Sequence, residues 1–340
     1  MKIGVLSGGG DCAGINAVIR GVVRRATSSG MEVVGIRRGW AGLLESDFSP
    51  LTYDDVADAL AIGGTLLLTS RTNPLRKEGG AELVMKNAHD MGLDALVPIG
   101  GEDTLGVAHG LAERGLKVVG VPKTIDNDLS ETDVTFGFDS AINVAVEAID
   151  RMRTTGASHE RVMVVEVMGR DAGWIATHAG MAGGAHVILV PEEPVNIDEV
   201  CDAIVARRQR GKNFSLVVVA EGARVAVQSG QVTAAETLDQ FGHPKLGGIG
   251  QLLAKEIEKR TNLETREVVL GHILRGGSPS AYDRVLSTRL GVAAVDAVRR
   301  GESDVMVALK GNRIVTVGLE DAIRPKKLDA ELLAVARIFT

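Results

Sequence analysis

The run Ala95-Leu96-Val97-Pro98-Ile99-Gly100-Gly101-Glu102-Asp103-Thr104 is an apolar segment that stops at two glycines and two acids. From 104 to 114 apolar residues then recur at helical spacing. A short buried strand that ends in a glycine turn and opens into a helix is one half of a βαβ unit. The pattern repeats. Val- and Ile-rich runs begin at Ile3, Val33, Ala95, Val118, Val162, Val187, Leu216 and Val268. Segments with helical spacing lie between them, at 13–27, 104–114, 140–153, 172–181 and 249–260. Strand followed by helix, repeated, implies right-handed crossovers and a doubly wound α/β sheet. A chain of 340 residues suits two such domains.

Composition agrees. Hydrophobic residues make up 45% and aromatics only 3%, so the cores must be built from Val, Ile, Leu and Ala. That bias suits parallel strands buried on both faces. The net charge of -6 argues against nucleic acid as partner, which favours basic surfaces. Cys12 and Cys201 show neither metal-ligand spacing nor a disulfide framework. The apolar runs are far shorter than the ~20 residues of a membrane-spanning helix. Met1 leads directly into the first strand pattern, without a signal-peptide pattern. The expectation is a soluble, cytoplasmic protein with no membrane or nucleic-acid partner.

Open parallel sheets bind ligands at the carboxyl ends of their strands. Polar and glycine-rich turns follow the apolar runs there: Ser7-Gly8-Gly9-Gly10-Asp11, Gly100-Gly101-Glu102-Asp103-Thr104, Pro122-Lys123-Thr124-Ile125-Asp126-Asn127-Asp128, Met168-Gly169-Arg170-Asp171, Glu221-Gly222-Ala223 and Gly271-His272-Ile273-Leu274-Arg275-Gly276-Gly277. The first is an anion site made of backbone N–H groups and a helix N-terminus, or an ordinary tight turn. It has neither the spacing of a dinucleotide fingerprint nor the Lys of a Walker loop. The second admits a phosphate close to its glycines, with Mg²⁺ between phosphate and carboxylate, or else Asp103 and Thr104 merely cap a helix. In the third, one carboxylate can act as general base while the other helps hold metal or position that base; an acidic loop or Asx turn is the alternative. Arg71, Arg161, Arg170, Arg266, His272 and Arg275 lie in or beside these turns, and arginine forks bind phosphate. Any one of them could be structural; as a set they point to phosphoryl chemistry. The remaining histidines, His89, His109, His159, His178, His186 and His243, show no paired spacing.

In order and content these motifs resemble the 6-phosphofructokinases, from Ile3 to about Gly291. The most specific pieces are the turn at 122–128, Val165-Glu166-Val167-Met168-Gly169-Arg170, and the stretch from Gly271 to Pro279. The resemblance implies two Rossmann-like domains with the active site in the cleft between them. A phosphoryl-donor domain would hold 1–138 plus about 277–325, and a sugar-phosphate domain 139–276 plus about 326–340. It implies Asp126 as the base toward the sugar 1-hydroxyl, with Thr124 and Asp128 supporting that turn. Glu102 resembles the family's metal-binding acid, Gly10 the glycine at the donor phosphates, and Arg71 a stabiliser of the transferred group. Met168, Gly169, Arg170 and Glu221 resemble residues that hold the sugar. Arg161, Arg266, His272 and Arg275 resemble the clamp on its 6-phosphate, with Arg161 and Arg266 reaching in from a neighbouring subunit. The chain is therefore expected to act with Mg²⁺ as a homodimer or homotetramer with shared sites.

Two departures bear on the donor. ATP-using members usually have Gly where this chain has Asp103, and the bacterial ATP type usually has Gly where it has Lys123. Two like charges ~4 Å apart at an effective dielectric near 20 cost on the order of 4 kcal/mol, enough to keep out a nucleotide α-phosphate. Lys123 would neutralise pyrophosphate. The pair resembles the pyrophosphate-dependent branch, so reversible transfer from pyrophosphate to fructose 6-phosphate, in glycolysis or gluconeogenesis, is expected. The alternatives are an ATP-dependent enzyme and a non-catalytic sugar-phosphate sensor; Asp126, Glu102 and Arg71 together speak against the sensor.

Overall fold

The structure is a computed structural model that describes residues 1–227, 230–232 and 247–339, so His243 lies outside the described residues. The chain divides into two compact units, Met1–Ser140 with Arg275–Lys326, and Ala141–Leu274 with Lys327–Thr340.

In the first unit the strands are β1 (Lys2–Ser7), β2 (Glu32–Ile36), β3 (Phe48–Pro50), β4 (Ala95–Gly100), β5 (Val119–Thr124) and β6 (Phe136–Gly137), joined late in the chain by β14 (Val305–Lys310) and β15 (Arg313–Gly318). Its helices are α1 (Ile15–Ser28), α2 (Trp40–Glu45), α3 (Gly80–Asp90), α4 (Glu102–Ala112), α9 (Ala281–Arg299) and α10 (Leu319–Ala322). The sheet order is β15-β14-β5-β4-β1-β2-β3, with β6 beside β5. The interior strands are parallel, and the outer pairs β14–β15 and β2–β3 are antiparallel. The chain order reverses between β1 and β4, which pair in parallel with Ser7 opposite Ile99. Reversal leaves a crevice at the carboxyl ends of the two strands, because the following helices depart to opposite faces. The turns at Gly8–Gly10 and Gly100–Gly101 are therefore neighbours. Every residue of β4 is buried, as is most of β1, which explains their nearly continuous apolar sequence.

The second unit holds β7 (Val162–Val167), β8 (Val187–Leu189), β9 (Val195–Asn196), β10 (Ser215–Ala220), β11 (Val225–Val227), β12 (Gly230–Val232) and β13 (Thr265–Val269). Its helices are α5 (Phe138–Ser158), whose first residues belong to the other unit, α6 (Trp174–Ala182), α7 (Ile197–Gln209), α8 (Ile249–Thr261) and α11 (Ala330–Ile338). An all-parallel sheet runs β13-β7-β10-β8, and a smaller one β12-β11-β9. Both units are α/β with parallel sheets, as the repeated strand and helix patterns required.

Two local expectations are corrected. The strand expected from Val268 begins at Thr265, and Arg266 and Glu267 are part of it. It is an edge strand beside β7 with both charged residues exposed, so it need not read as an apolar run. The hairpin β14–β15 was not expected at all, although Val305–Leu309 followed by Gly311-Asn312 carries the signal of a strand and a tight turn. Among the described residues no helix is long and apolar enough to cross a membrane.

Candidate active site

In the first unit the β1 and β4 turns are locked together. The Gly8 N–H donates to Ile99 O at 3.0 Å. Between them sits the buried side chain of Thr104. A Cβ on Gly8 would lie 2.6 Å from its Oγ1, and one on Gly100 only 2.2 Å from its Cβ. These glycines are required by close approach, not by unusual backbone angles. The helix-capping reading of Asp103 and Thr104 is thereby corrected: the N-cap of α4 is Gly101, and no side chain caps it. Glu102 and Asp103 occupy the first turn of α4, where the helix dipole favours negative charge.

Gly9 takes a positive φ of 77°, and its N–H donates to Ser70 O at 3.0 Å, which draws the Arg71 segment to the glycine turn. Thr69 Oγ1 adds a bond to Gly9 O at 2.7 Å. Two cations converge on the next residue. Lys123 Nζ donates to Gly10 O at 2.5 Å. The Arg275 Nη1 lies 1.8 Å from where a Gly10 Cβ would stand. Lys123 is only 5% exposed. Loss of water lowers its pKa and Arg275 lowers it further, against the opposing pull of Cys12, Asp126 and Asp11. A buried ammonium donating to a backbone carbonyl, beside a second cation, is an arrangement an anion would stabilise.

Behind this, β5 delivers Thr124 and Asp126, both buried. The Asp126 N–H donates to Thr124 Oγ1 at 3.0 Å. Asn127 adopts φ 53° and its Oδ1 accepts from the Thr135 N–H at 3.1 Å, while Thr135 Oγ1 donates to Thr124 O at 2.8 Å. Asp126 therefore stands on a turn with a hydrogen-bonded floor. Asn127 and Thr135 were not singled out from sequence; the left-handed tolerance of Asn is the one signal that pointed to it. Asp128, half-buried, closes the same turn.

Oxygen donors of the Glu102 and Asp103 type suit Mg²⁺, which is held by one or two carboxylates and the substrate's own phosphates, not by an all-protein cage. Among the described residues no cluster of three or more His, Cys, Asp or Glu forms such a cage. The donor set is compatible with that ion.

In the second unit, the carboxyl ends of β7 and β10 bring Met168, Gly169, Arg170 and Glu221 together. Glu221 Oε1 accepts from the N–H groups of Gly169 and Arg170, at 3.3 and 3.1 Å. Gly222 must lack a side chain, since a Cβ would stand 1.9 Å from Arg170 O. His272 follows β13 in a short 3-10 turn, Gly271–Arg275, and is exposed. Arg161 and Arg266 lie elsewhere. They sit at the amino ends of β7 and β13, where Glu264 Oε1 joins them at 2.7 and 2.5 Å. Those bonds hold the Glu264 carboxylate below its ordinary pKa, through Arg161 first. Along the strands, the two arginines are roughly 20 Å from the Met168 turn. Glu166, buried in the middle of β7, was also missed as more than strand. It accepts from Gly250 N at 2.8 Å and from Gly248 N, and so caps α8 from outside the helix. Burial raises its pKa.

A family model described as phosphofructokinase matches residues 2–298. The chain belongs to the phosphofructokinase family. The resemblance read from the motifs, and with it the expectation of a phosphotransferase, is borne out. This family member is 57% identical to a protein of Amycolatopsis methanolica named pyrophosphate--fructose 6-phosphate 1-phosphotransferase, over 95% of this chain and 94% of that one. It is 54% identical to a Mycobacterium tuberculosis protein named ATP-dependent 6-phosphofructokinase, over 96% of each. Among solved structures it is similar to a phosphofructokinase of Pichia pastoris, with 31% identity and a TM-score of 0.84, covering 99% of this chain and 36% of that much longer one.

Proposed function

We propose that this phosphofructokinase transfers a phosphoryl group reversibly from pyrophosphate to the 1-hydroxyl of fructose 6-phosphate, in the cytoplasm, in the service of glycolysis or gluconeogenesis. The observation that carries the donor choice is the buried Lys123 on the Gly10 carbonyl, combined with an acid, Asp103, in the first turn of α4. Lys123 offers a pyrophosphate a desolvated cation, and Asp103 repels the additional phosphate of a nucleotide. The first unit takes the donor role and the second the sugar role. Asp126 accepts the proton of the attacking hydroxyl, held for that purpose by the bonds of Thr124, Asn127 and Thr135. Arg71 and Lys123 face the charge that develops on the moving phosphoryl group. Glu102, together with the donor's own oxygens, would hold Mg²⁺, which would supply neutralisation of charge on the leaving phosphate. Met168, Gly169, Arg170 and Glu221 hold the sugar, and Arg161, Arg266, His272 and Arg275 hold its phosphate. Arg161 and Arg266 serve the site of a second subunit in a homodimer or homotetramer.

ATP as donor is the second reading, and the name of the Mycobacterium tuberculosis relative favours it. Fructose 1,6-bisphosphate formation from fructose 6-phosphate and Mg²⁺, with pyrophosphate or ATP, separates the two. The unaltered enzyme is expected to use pyrophosphate only. Asp103→Gly is expected to raise kcat/KM with ATP by about tenfold or more, which corresponds to at least ~1.4 kcal/mol. Turnover of ATP by the unaltered enzyme would overturn the donor assignment.

A further inference from the structure

Lys326 belongs to none of the strand-end motifs, yet it reaches into the acid turn after β5. Its backbone N–H donates to Asp128 O at 2.8 Å. Its ammonium donates to Asp133 O at 2.6 Å and Thr132 O at 3.0 Å, and lies 3.5 Å from Asn127 Oδ1. One side chain thus ties the start of the 127–133 segment to its end. The same segment is anchored from outside. The Asp133 N–H donates to Leu309 O at 2.8 Å, the Leu309 N–H to Thr132 Oγ1 at 3.1 Å, and the Gly311 N–H to Asp133 Oδ2 at 2.6 Å. The Ser130 N–H donates to Arg324 O at 3.2 Å, and Leu129 bridges to Pro325. The hairpin β14–β15 and residues 324–326 therefore form a frame around the loop, with Lys326 as its central tie. A reacting carboxylate on a loop works only if its supports are fixed. Asn127, which Lys326 meets, is the residue next to Asp126.

We infer that Lys326 is a positioning residue that holds the Asp126 turn in its working geometry through its ammonium group. The inference rests on the reading of Asp126 as the base.

Among the described residues, charged groups acting on this amine include Asp133 and Asp128 on the loop, which favour the cation, and Lys310 on β14, which opposes it and is itself paired with Glu131 at 3.2 Å. Burial, reinforced by Lys310, outweighs the two carboxylates and brings the pKa down to about 8. Lys326 is therefore a cation below about pH 8 and loses its proton as pH rises through that value. A neutral amine has only two N–H donors where the ammonium has three. The turn is held below that pH and loosened above it, so kcat should fall on the alkaline side.

The test compares the unaltered enzyme with Lys326→Met, Lys326→Arg and Asp126→Asn across pH, using whichever of pyrophosphate or ATP supports turnover, with thermal unfolding in parallel. Lys326→Met is expected to lower kcat about 10- to 100-fold, as a sub-ångström to ångström misplacement does, with KM for both substrates changed less than about threefold. Lys326→Arg is expected to recover much of kcat at neutral pH and to lose the alkaline fall, because a guanidinium does not titrate there. Unchanged kcat in Lys326→Met, or the same alkaline fall in Lys326→Arg, overturns the inference. If Lys326→Met does not fold, the pH profile of Lys326→Arg decides alone. Full activity in Asp126→Asn would instead sink the reading of Asp126 as base, a separate result.

Discussion

Glycine serves two different purposes at single positions of this protein, and the atom it faces tells them apart. At Gly100 the neighbour is the Thr104 Cβ, at 2.2 Å from an added methyl, deep in the core. At Gly10 the neighbour is the tip of Arg275, a long side chain able to swing away. Gly10→Ala should therefore leave the fold intact and move a cation. Its Tm is expected to stay within about 2 °C of the unaltered enzyme, since a surface-loop change away from the core is worth less than ~0.5 kcal/mol. Its KM for the phosphoryl donor is expected to rise about tenfold, the equivalent of one lost charge-assisted hydrogen bond. An unchanged KM would mean that the Gly10 turn takes no part in donor binding.

Between elements, α1 packs against α9 with backbone close to backbone. Gly291 on α9 has no side chain because its Cβ would lie 2.4 Å from Val18 O, and Gly21 on α1 faces Thr288 O at 2.8 Å in the same way. Backbone meets backbone there, so nothing flexible can give. Gly291→Ala is expected to force the helices apart and to destabilise the protein by about 1–3 kcal/mol, despite the better helix propensity of Ala. Urea unfolding would show this as a lower midpoint with an unchanged slope; a midpoint equal to or above that of the unaltered protein would contradict the packing described. Because α1 grows out of the Gly8–Gly10 turn, its seating on α9 also sets where that turn stands.

At the scale of the whole molecule, the placement of Arg161 and Arg266 at the opposite strand ends from Glu221 invites the proposal that a second subunit uses them. Co-expression of Asp126→Asn with Arg161→Ala chains tests it. If sites are shared, a mixed dimer has one intact site, and random pairing should return about a quarter of full activity from two inactive parents. Activity no higher than the parents' would place Arg161 with its own subunit's chemistry. Much of this could be read along the chain. The Val- and Ile-rich runs, the glycine turns at 8–10 and 100–101 and the Asp126-Asn127-Asp128 turn announce themselves because burial on two faces and close backbone approach restrict composition locally. The edge strand Thr265–Val269 hides its nature, since its exposed face tolerates Arg266 and Glu267. Sequence alone therefore determined the fold class and the family, and it nominated the residues for phosphoryl chemistry. Only the tertiary structure decided which distant groups support them: Thr104 between two glycine turns, Arg275 against Gly10, Glu264 between two arginines, and Lys326 reaching Asn127, 199 residues before it, because contacts between residues far apart in the chain leave no periodic trace along it.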